Sequence, residues 1–348
     1  ARTKGSLFVA VLFVSVIFGA ATGIVGASVT ILGIMSAKTM NRAGYDVQLA
    51  AGTITAGGTL GILIPPSIML VVMGPILNVP VTDLFAAAIM PGLMLAALYT
   101  GYTLIRCHLN PSLGPVVPED LIPDSMREVW IEFFKGLVPP VLLVGSSLGS
   151  ILAGLATPTE GAAMGAVGAI FLTLAYRKLN FKVFQEALLK TLEITTLIMI
   201  LVCASNFFGS VFSRLGTPTM ITEALMLLDL PPTAILLIVM ALIFLLAWPL
   251  EWVPIVLIII PIVLPLIEQL GFNLTWFGIL VAVNLQTAWL SPPVALSAYF
   301  LKGVAPDWDL SDIYKGMMQF MAIQVVGLAL IIIFPQIVLW LPTYLYGN

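Results

Sequence analysis

The chain has 348 residues, of which 60% are hydrophobic and only 9% charged, with a formal net charge of −3. A water-soluble domain carries about 25% charged residues, so water is not the main solvent of this chain. No long basic or acidic tract is present, which argues against a nucleic-acid partner or a charged disordered tail.

Uncharged runs cover residues 5–37, 47–82, 194–213, 233–250 and 317–341. Each approaches or exceeds the roughly 20 residues that span a hydrocarbon core. They are continuously apolar instead of alternating, so the expectation is an all-α, polytopic membrane protein in a lipid bilayer and not a barrel. Arg2 and Lys4 precede a run too long for a signal peptide and without a cleavage site, so the start reads as the continuation of a longer protein.

In chain order, "ATGIVGAS" (21–28) marks a first soft point at Thr22 and Gly23, either a turn or a small-residue packing face. After the polar stretch "KTMNRAGYD" (38–46) comes "GGTLGILIPPSIML" (57–70), an apolar run broken by Gly57, Gly58, Gly61 and the pair Pro65-Pro66. The prolines lack N–H groups and free carbonyls upstream. Such backbone survives at membrane depth only where protein or a watery cavity covers it. Freed carbonyls suit a desolvated Na⁺, and exposed helix N-termini suit a carboxylate. A kink that only shapes packing is the alternative.

The charged segment 106–135 divides the chain; from Asp124 onward Met126, Val129, Trp130 and Phe133 or Phe134 recur at the spacing of an interfacial helix. His108 lies in it and reads as a solvated loop residue. The basic segments 106–135 and 177–190 belong on the same, cytoplasmic side. The stretch between them then crosses twice, or enters and returns, turning at "TPTEG" (157–161). Glu160 there is either an intramembrane functional acid or the partner of a Thr157 or Thr159 helix cap. Arg214 sits at a helix end, snorkelling or meeting an anion. Glu251 in "AWPLEWVP" is either a membrane-edge residue or a functional acid. Cys107 and Cys203 form no C-x-x-C pair and read as inert.

"QTAWLSPPVALS" (286–297) resembles the earlier break: a threonine upstream of Pro-Pro, then an apolar continuation. Chance recurrence is one explanation. The other is a secondary transporter built from repeats, with its site where the helices break. The chain then divides into a first repeat portion (1–105), a charged connector (106–135) and a second repeat (136–348). Hydroxyl and acid groups beside the breaks, Thr22, Thr59, Ser67, Ser291 and Glu251, are candidate substrate-binding groups. Enzyme chemistry has little support: H-E-x-x-H, G-x-S-x-G and Walker A sequences are all missing.

"GTITAGGTLGILIPPSIMLVVMG" (52–74), preceded by Gly44-Tyr45 and followed by "LFAAAIMPG" (84–92), closely resembles the large membrane subunit of tripartite ATP-independent periplasmic (TRAP) transporters. "ATPTEGAA" from Ala156, "PIVLIIIPIVLPL" from Pro254 and "SPPVAL" from Ser291 follow in the family's order. The resemblance covers nearly the whole chain. It implies an elevator-type fold of two inverted repeats, each with a re-entrant helical hairpin, in a bacterial inner membrane. It also implies Na⁺-coupled uptake of a small organic acid, delivered by a periplasmic binding protein, with a small membrane subunit bracing the scaffold. One Na⁺ site would use Thr22, Gly61, Ile64 and Pro66, and the other Ala247, Ala288, Ser291 and Val294. Many members carry a serine-rich tip at the "TGIV" position (22–25), glycine at positions 247 and 288, and aspartate at 251. Family members also have helices before the point where Ala1 stands. The competing readings are an H⁺-coupled or antiporting permease using Glu251 or Glu160, and a non-transporting scaffold or receptor subunit.

Overall fold

The computed structural model describes residues 3–118, 125–292 and 295–347, which form α-helices joined by short turns and, among the described residues, no strand. Helices α1 (Ser6–Thr22) and α2 (Val25–Arg42) fold back on each other at Gly23, whose φ of 62° suits glycine and whose N–H donates to Gly19 O at 3.1 Å. Helix α3 (Val47–Thr59) starts at Asp46, whose carboxylate accepts from Leu49 N. It tightens into a 3-10 turn at Leu60–Ile62 and stops. The chain passes the cis-linked Pro65-Pro66 and resumes as α4 (Ile68–Leu77), followed by the long α5 (Val81–Leu109).

Four helices come next: α6 (Met126–Leu152), α7 (Pro158–Ala175), α8 (Phe181–Arg214) and α9 (Thr217–Met226). Helix α10 (Pro232–Leu250) then ends at Glu251, and the chain turns into α11 (Trp252–Pro254), a π-helical turn (Ile255–Ile259) and α12 (Ile260–Gln269). Helix α13 (Leu274–Leu290) stops at Ser291, α14 (Leu296–Val304) resumes, and α15 (Leu310–Ile333) and α16 (Gln336–Tyr346) complete the chain. A helix pair, an interrupted helix and a long helix thus occur in that order twice, from α1 to α5 and from α10 to α15. The second occurrence begins at Pro232, with α6–α9 ahead of it.

Seven of the described helices are long and apolar enough to cross a membrane: α5, α6, α7, α8, α10, the continuous stretch Trp252–Gln269, and α15. Helix α1, with 17 residues, reaches only about 26 Å at 1.5 Å per residue, short of a ~30 Å hydrocarbon core. The core lies where the interrupted helices meet. Helix α13 packs on α3, α4 and α5, and α3 packs on α1, α2 and α15. Phe8, Phe85, Phe277 and Phe320 are buried there. Helices α6–α8, by contrast, leave Leu142, Phe171, Leu197 and Phe207 exposed, as suits faces in contact with hydrocarbon.

Three local expectations change. Helix α5 runs to Leu109, so His108 occupies its last turn and not a loop. Trp130, Phe133 and Phe134 belong to one helix with the apolar run after them: Ser125 caps its start, and the helix continues to Leu152 through Pro139 and Pro140, which remove two ladder donors without ending it; Asp124 lies outside the described residues. The basic segment 177–190 is largely the start of α8, capped by Asn180, whose side chain accepts from Val183 N. At "TPTEG" the turn is present, and Glu160 takes the capping role: its Oε2 accepts from Thr157 N at 2.8 Å, while Thr157 Oγ1 accepts from Glu160 N at 3.3 Å. Arg214 closes α8.

Candidate functional site

The first break sits against the tip of the α1–α2 pair because glycines let three backbones touch. A Cβ on Gly58 would lie 3.0 Å from Val29 N, and one on Gly61 would lie 3.0 Å from Ser28 Oγ and 3.4 Å from Gly19 O. A Cβ on Gly23 would lie 3.3 Å from Pro66 O. Thr22 Oγ1 donates to Phe18 O at 2.9 Å and lies 2.5 Å from Ser28 Oγ. Thr22, Gly61 and Pro66 therefore meet in one place, joined by Ser28. Ile64 packs its side chain over Gly92 and donates its N–H to Leu60 O at 2.8 Å.

The carbonyls at this break follow from the two prolines. The fourth residues after Gly61 and Ile62 are Pro65 and Pro66, which have no N–H to offer. Ser67 Oγ replaces one donor, donating to Ile62 O at 2.5 Å. The carbonyls of Gly61, Ile64 and Pro66 accept no hydrogen bond among the described residues. Buried carbonyls are normally paired, so these oxygens are open to an electropositive partner.

At the second break, Ser291 is extended, with φ −108° and ψ 128°, and only 2% exposed. Its Oγ is buried and has no hydrogen-bond partner among the described residues. Ala247 and Ala288 line one small cavity of about 20 Å³ together with Glu251 and Trp248. Trp248 Nε1 is a buried donor without a partner among the described residues. Pro293 and Val294 lie outside the described residues. These orphaned oxygens, all neutral hydroxyls and carbonyls, fit a hard monovalent cation. Among the described residues no three His, Cys, Asp or Glu side chains cluster as a divalent or transition-metal site would need.

Between the two tips lies a cavity of about 260 Å³. Gly23, Ile24 and Val25 of the first tip line it, with Ile62, Ile68 and Met69 of the first break. Glu251, Trp252 and Val253 of the second tip and Trp289 of α13 face them, and α8 closes one wall. Glu251 is the single ionisable side chain among these lining residues. Its backbone, at φ 57° and ψ −178°, occupies a region that costs a non-glycine residue about 1–3 kcal/mol and recurs at functional sites. Of the five candidate substrate groups, Glu251 lines this cavity. Thr59 and Ser67 are buried with their hydroxyls given to Ala56 O and Ile62 O, and Thr22 and Ser291 are not among its lining residues.

Three polar residues here lie within the quoted stretches but are not among the candidate groups read from them. Ser28 reaches the first break from one turn into α2. Trp248 was signalled only by the aromatic pair flanking "PLE". Gln286, fully buried on α13, donates its Nε2–H to Thr59 O at 3.0 Å and joins the two interrupted helices.

Comparison with known proteins matches this architecture. Residues 2–337 match the family described as the tripartite ATP-independent periplasmic transporter, DctM component. The chain is 29% identical over 345 residues to the C4-dicarboxylate TRAP transporter large permease protein DctM of Pseudomonas aeruginosa, covering 98% of this chain and 78% of that protein. It is 28% identical over 346 residues to the sialic acid TRAP transporter large permease protein SiaM of Vibrio cholerae, covering 99% and 79%. It is 26% identical over 334 residues to the sialic acid TRAP transporter permease protein SiaT of Haemophilus influenzae, where 95% of this chain spans 53% of the relative, about half its length. With its multiple apolar helices and a family match over nearly its whole length, the chain belongs to the TRAP transporter family as a DctM, or large permease, component.

Proposed function

We propose that this chain is the large permease of a Na⁺-coupled secondary transporter that imports a small carboxylate across a bacterial inner membrane. A periplasmic binding protein delivers the carboxylate, and a small membrane subunit braces the scaffold helices. The supporting observation is the pairing of each helix tip with a helix break that holds unpaired oxygens, with a cavity between the two pairs. One Na⁺ is held by Thr22 and the Gly61, Ile64 and Pro66 carbonyls, with Ser28 added; the other by Ser291 and backbone near Ala247, Ala288 and Val294. Relatives named for sialic acid and C4-dicarboxylate transport support an organic acid as cargo.

Cation binding gathers the oxygens of a tip and a break around one charge, which orders the cavity wall. The organic anion then enters a cavity whose negative group, Glu251, is offset by two cations nearby, while Trp248 lines the smaller cavity beside Ala247 and Ala288. Coupling follows because the anion binds the cation-ordered state better than the empty one. The tips act as re-entrant hairpins, and the pairs with their broken helices travel as one body against α6–α9, an elevator motion of inverted repeats. The test is uptake of a panel of carboxylates by the complete complex in proteoliposomes, with Na⁺ replaced by K⁺ at fixed pH. The reading expects uptake to vanish in K⁺ and in Gly61→Val. Uptake that persists in K⁺ overturns it.

One observation favours a second reading, proton coupling: Glu251 stands alone as an ionisable group on the cavity wall, on a strained backbone. Uptake driven by a pH gradient and lost in Glu251→Gln is its expected signature.

A further inference from the structure

The breaks are joined by a chain of neutral side chains, all 0% exposed. Thr59 is the last residue of α3 before the first break. In the 3-10 turn that follows, Leu63 N–H turns to Leu60 O at 3.1 Å and no longer serves Thr59 O. Gln286 Nε2 donates to that carbonyl at 3.0 Å. Gln286 Oε1 accepts from Gln324 Nε2 at 2.6 Å, Gln324 Nε2 also donates to Val283 O at 3.1 Å, and Gln324 Oε1 accepts from Tyr99 OH at 3.1 Å. Gln286 lies two residues before Ala288 and five before Ser291. One amide therefore has one end on the first break and its backbone at the threshold of the second.

This bond ties the end of α3, from which the first break departs, to α13. A movement of either break that carries Thr59 O out of reach of Gln286 Nε2 leaves a buried donor unpaired, a cost of about 1–3 kcal/mol. Gln324 and Tyr99 fix the amide from α15 and α5, so Gln286 cannot swing to another partner without breaking their bonds as well. A ligand that fixes the first break against α13 thus also holds α13 in place at Ala288–Ser291, and the reverse.

Resting on the reading that both breaks bind Na⁺, we propose that Gln286 is a positioning residue that couples the two breaks, so that each cation site forms with the other. The coupling gives the transporter a response to Na⁺ in which half-loaded states are sparsely populated. Hydrogen exchange of the complete complex in lipid, followed by mass spectrometry over peptides covering residues 57–70 and 284–300, tests it as Na⁺ replaces K⁺ at constant ionic strength. In the unaltered protein both peptides should gain protection at one common Na⁺ midpoint. In Gln286→Leu the two midpoints should separate by about fivefold or more, the low end of typical site-to-site coupling. Gln324→Leu, which leaves Gln286 in place but removes its anchor, should separate them in the same direction and carries the test if Gln286→Leu fails to assemble. A loss of packing alone would lower protection in both peptides without parting their midpoints. Coincident midpoints in the variants overturn the coupling and leave the Na⁺ reading standing. No response to Na⁺ in the unaltered protein overturns both.

Discussion

Ser291 shows what one atom can report. A buried hydroxyl without a partner costs about 1–3 kcal/mol, and Ser291 Oγ has none among the described residues. If it ligates Na⁺, Ser291→Ala raises the Na⁺ concentration for half-maximal uptake by about tenfold, equivalent to about 1.4 kcal/mol. A Na⁺ titration of uptake checks this, and an unchanged half-saturation would remove Ser291 from the ion site. Ser28→Ala should act in the same direction through Thr22. Glu251→Gln keeps the shape of the cavity wall and removes its charge. Under Na⁺ coupling, the variant retains Na⁺-driven uptake; under proton coupling, uptake driven by a pH gradient disappears. The sequence made Ser291, Gly61 and Glu251 visible because glycine, proline and an intramembrane acid stand out among apolar residues. It could not expose Ser28 or Gln286. Their roles come from contacts with residues 33 and 227 positions away, and a serine or glutamine in a helix carries no local mark of its partner.

At the scale of elements, the two prolines decide where α3 ends. Replacing both by alanine in Pro65→Ala/Pro66→Ala returns N–H donors to the carbonyls of Gly61 and Ile62. The expected result is a longer α3 and a first break that no longer gains hydrogen-exchange protection with Na⁺. Protection that still responds to Na⁺ would show that the carbonyls freed by proline are dispensable. Gly58 makes a different point. A side chain there meets Val29 backbone, so Gly58→Leu must push α2 away from α3, at about 1–3 kcal/mol for overpacking. A lowered melting temperature of the purified protein checks it; an unchanged one would contradict the close packing of these helices. The breaks and the "TPTEG" turn were legible because prolines and glycines act locally. The extents of α5, α6 and α8 were not, since charged residues at helix ends look like loops in a sequence and are retained in the helix by caps and i,i+4 pairs, such as Lys182 with Glu186.

For the whole molecule, the sequence carried the membrane class and the family, because composition and motif order extend over nearly all of the chain. The twofold order of helix pair, broken helix and long helix was legible only in part: the diprolines flagged the breaks, while nothing in composition distinguished α10 as the start of the second set. The account joins these scales in one claim, that cations at the two breaks and an organic anion between them move together. The most direct measurement is the entry of radioactive sodium into proteoliposomes holding the complete complex, driven by an inward gradient of the transported carboxylate with no sodium gradient imposed. The account predicts that carboxylate movement carries sodium inward, and that Ser291→Ala weakens this flux. Carboxylate uptake without any sodium entry would contradict it.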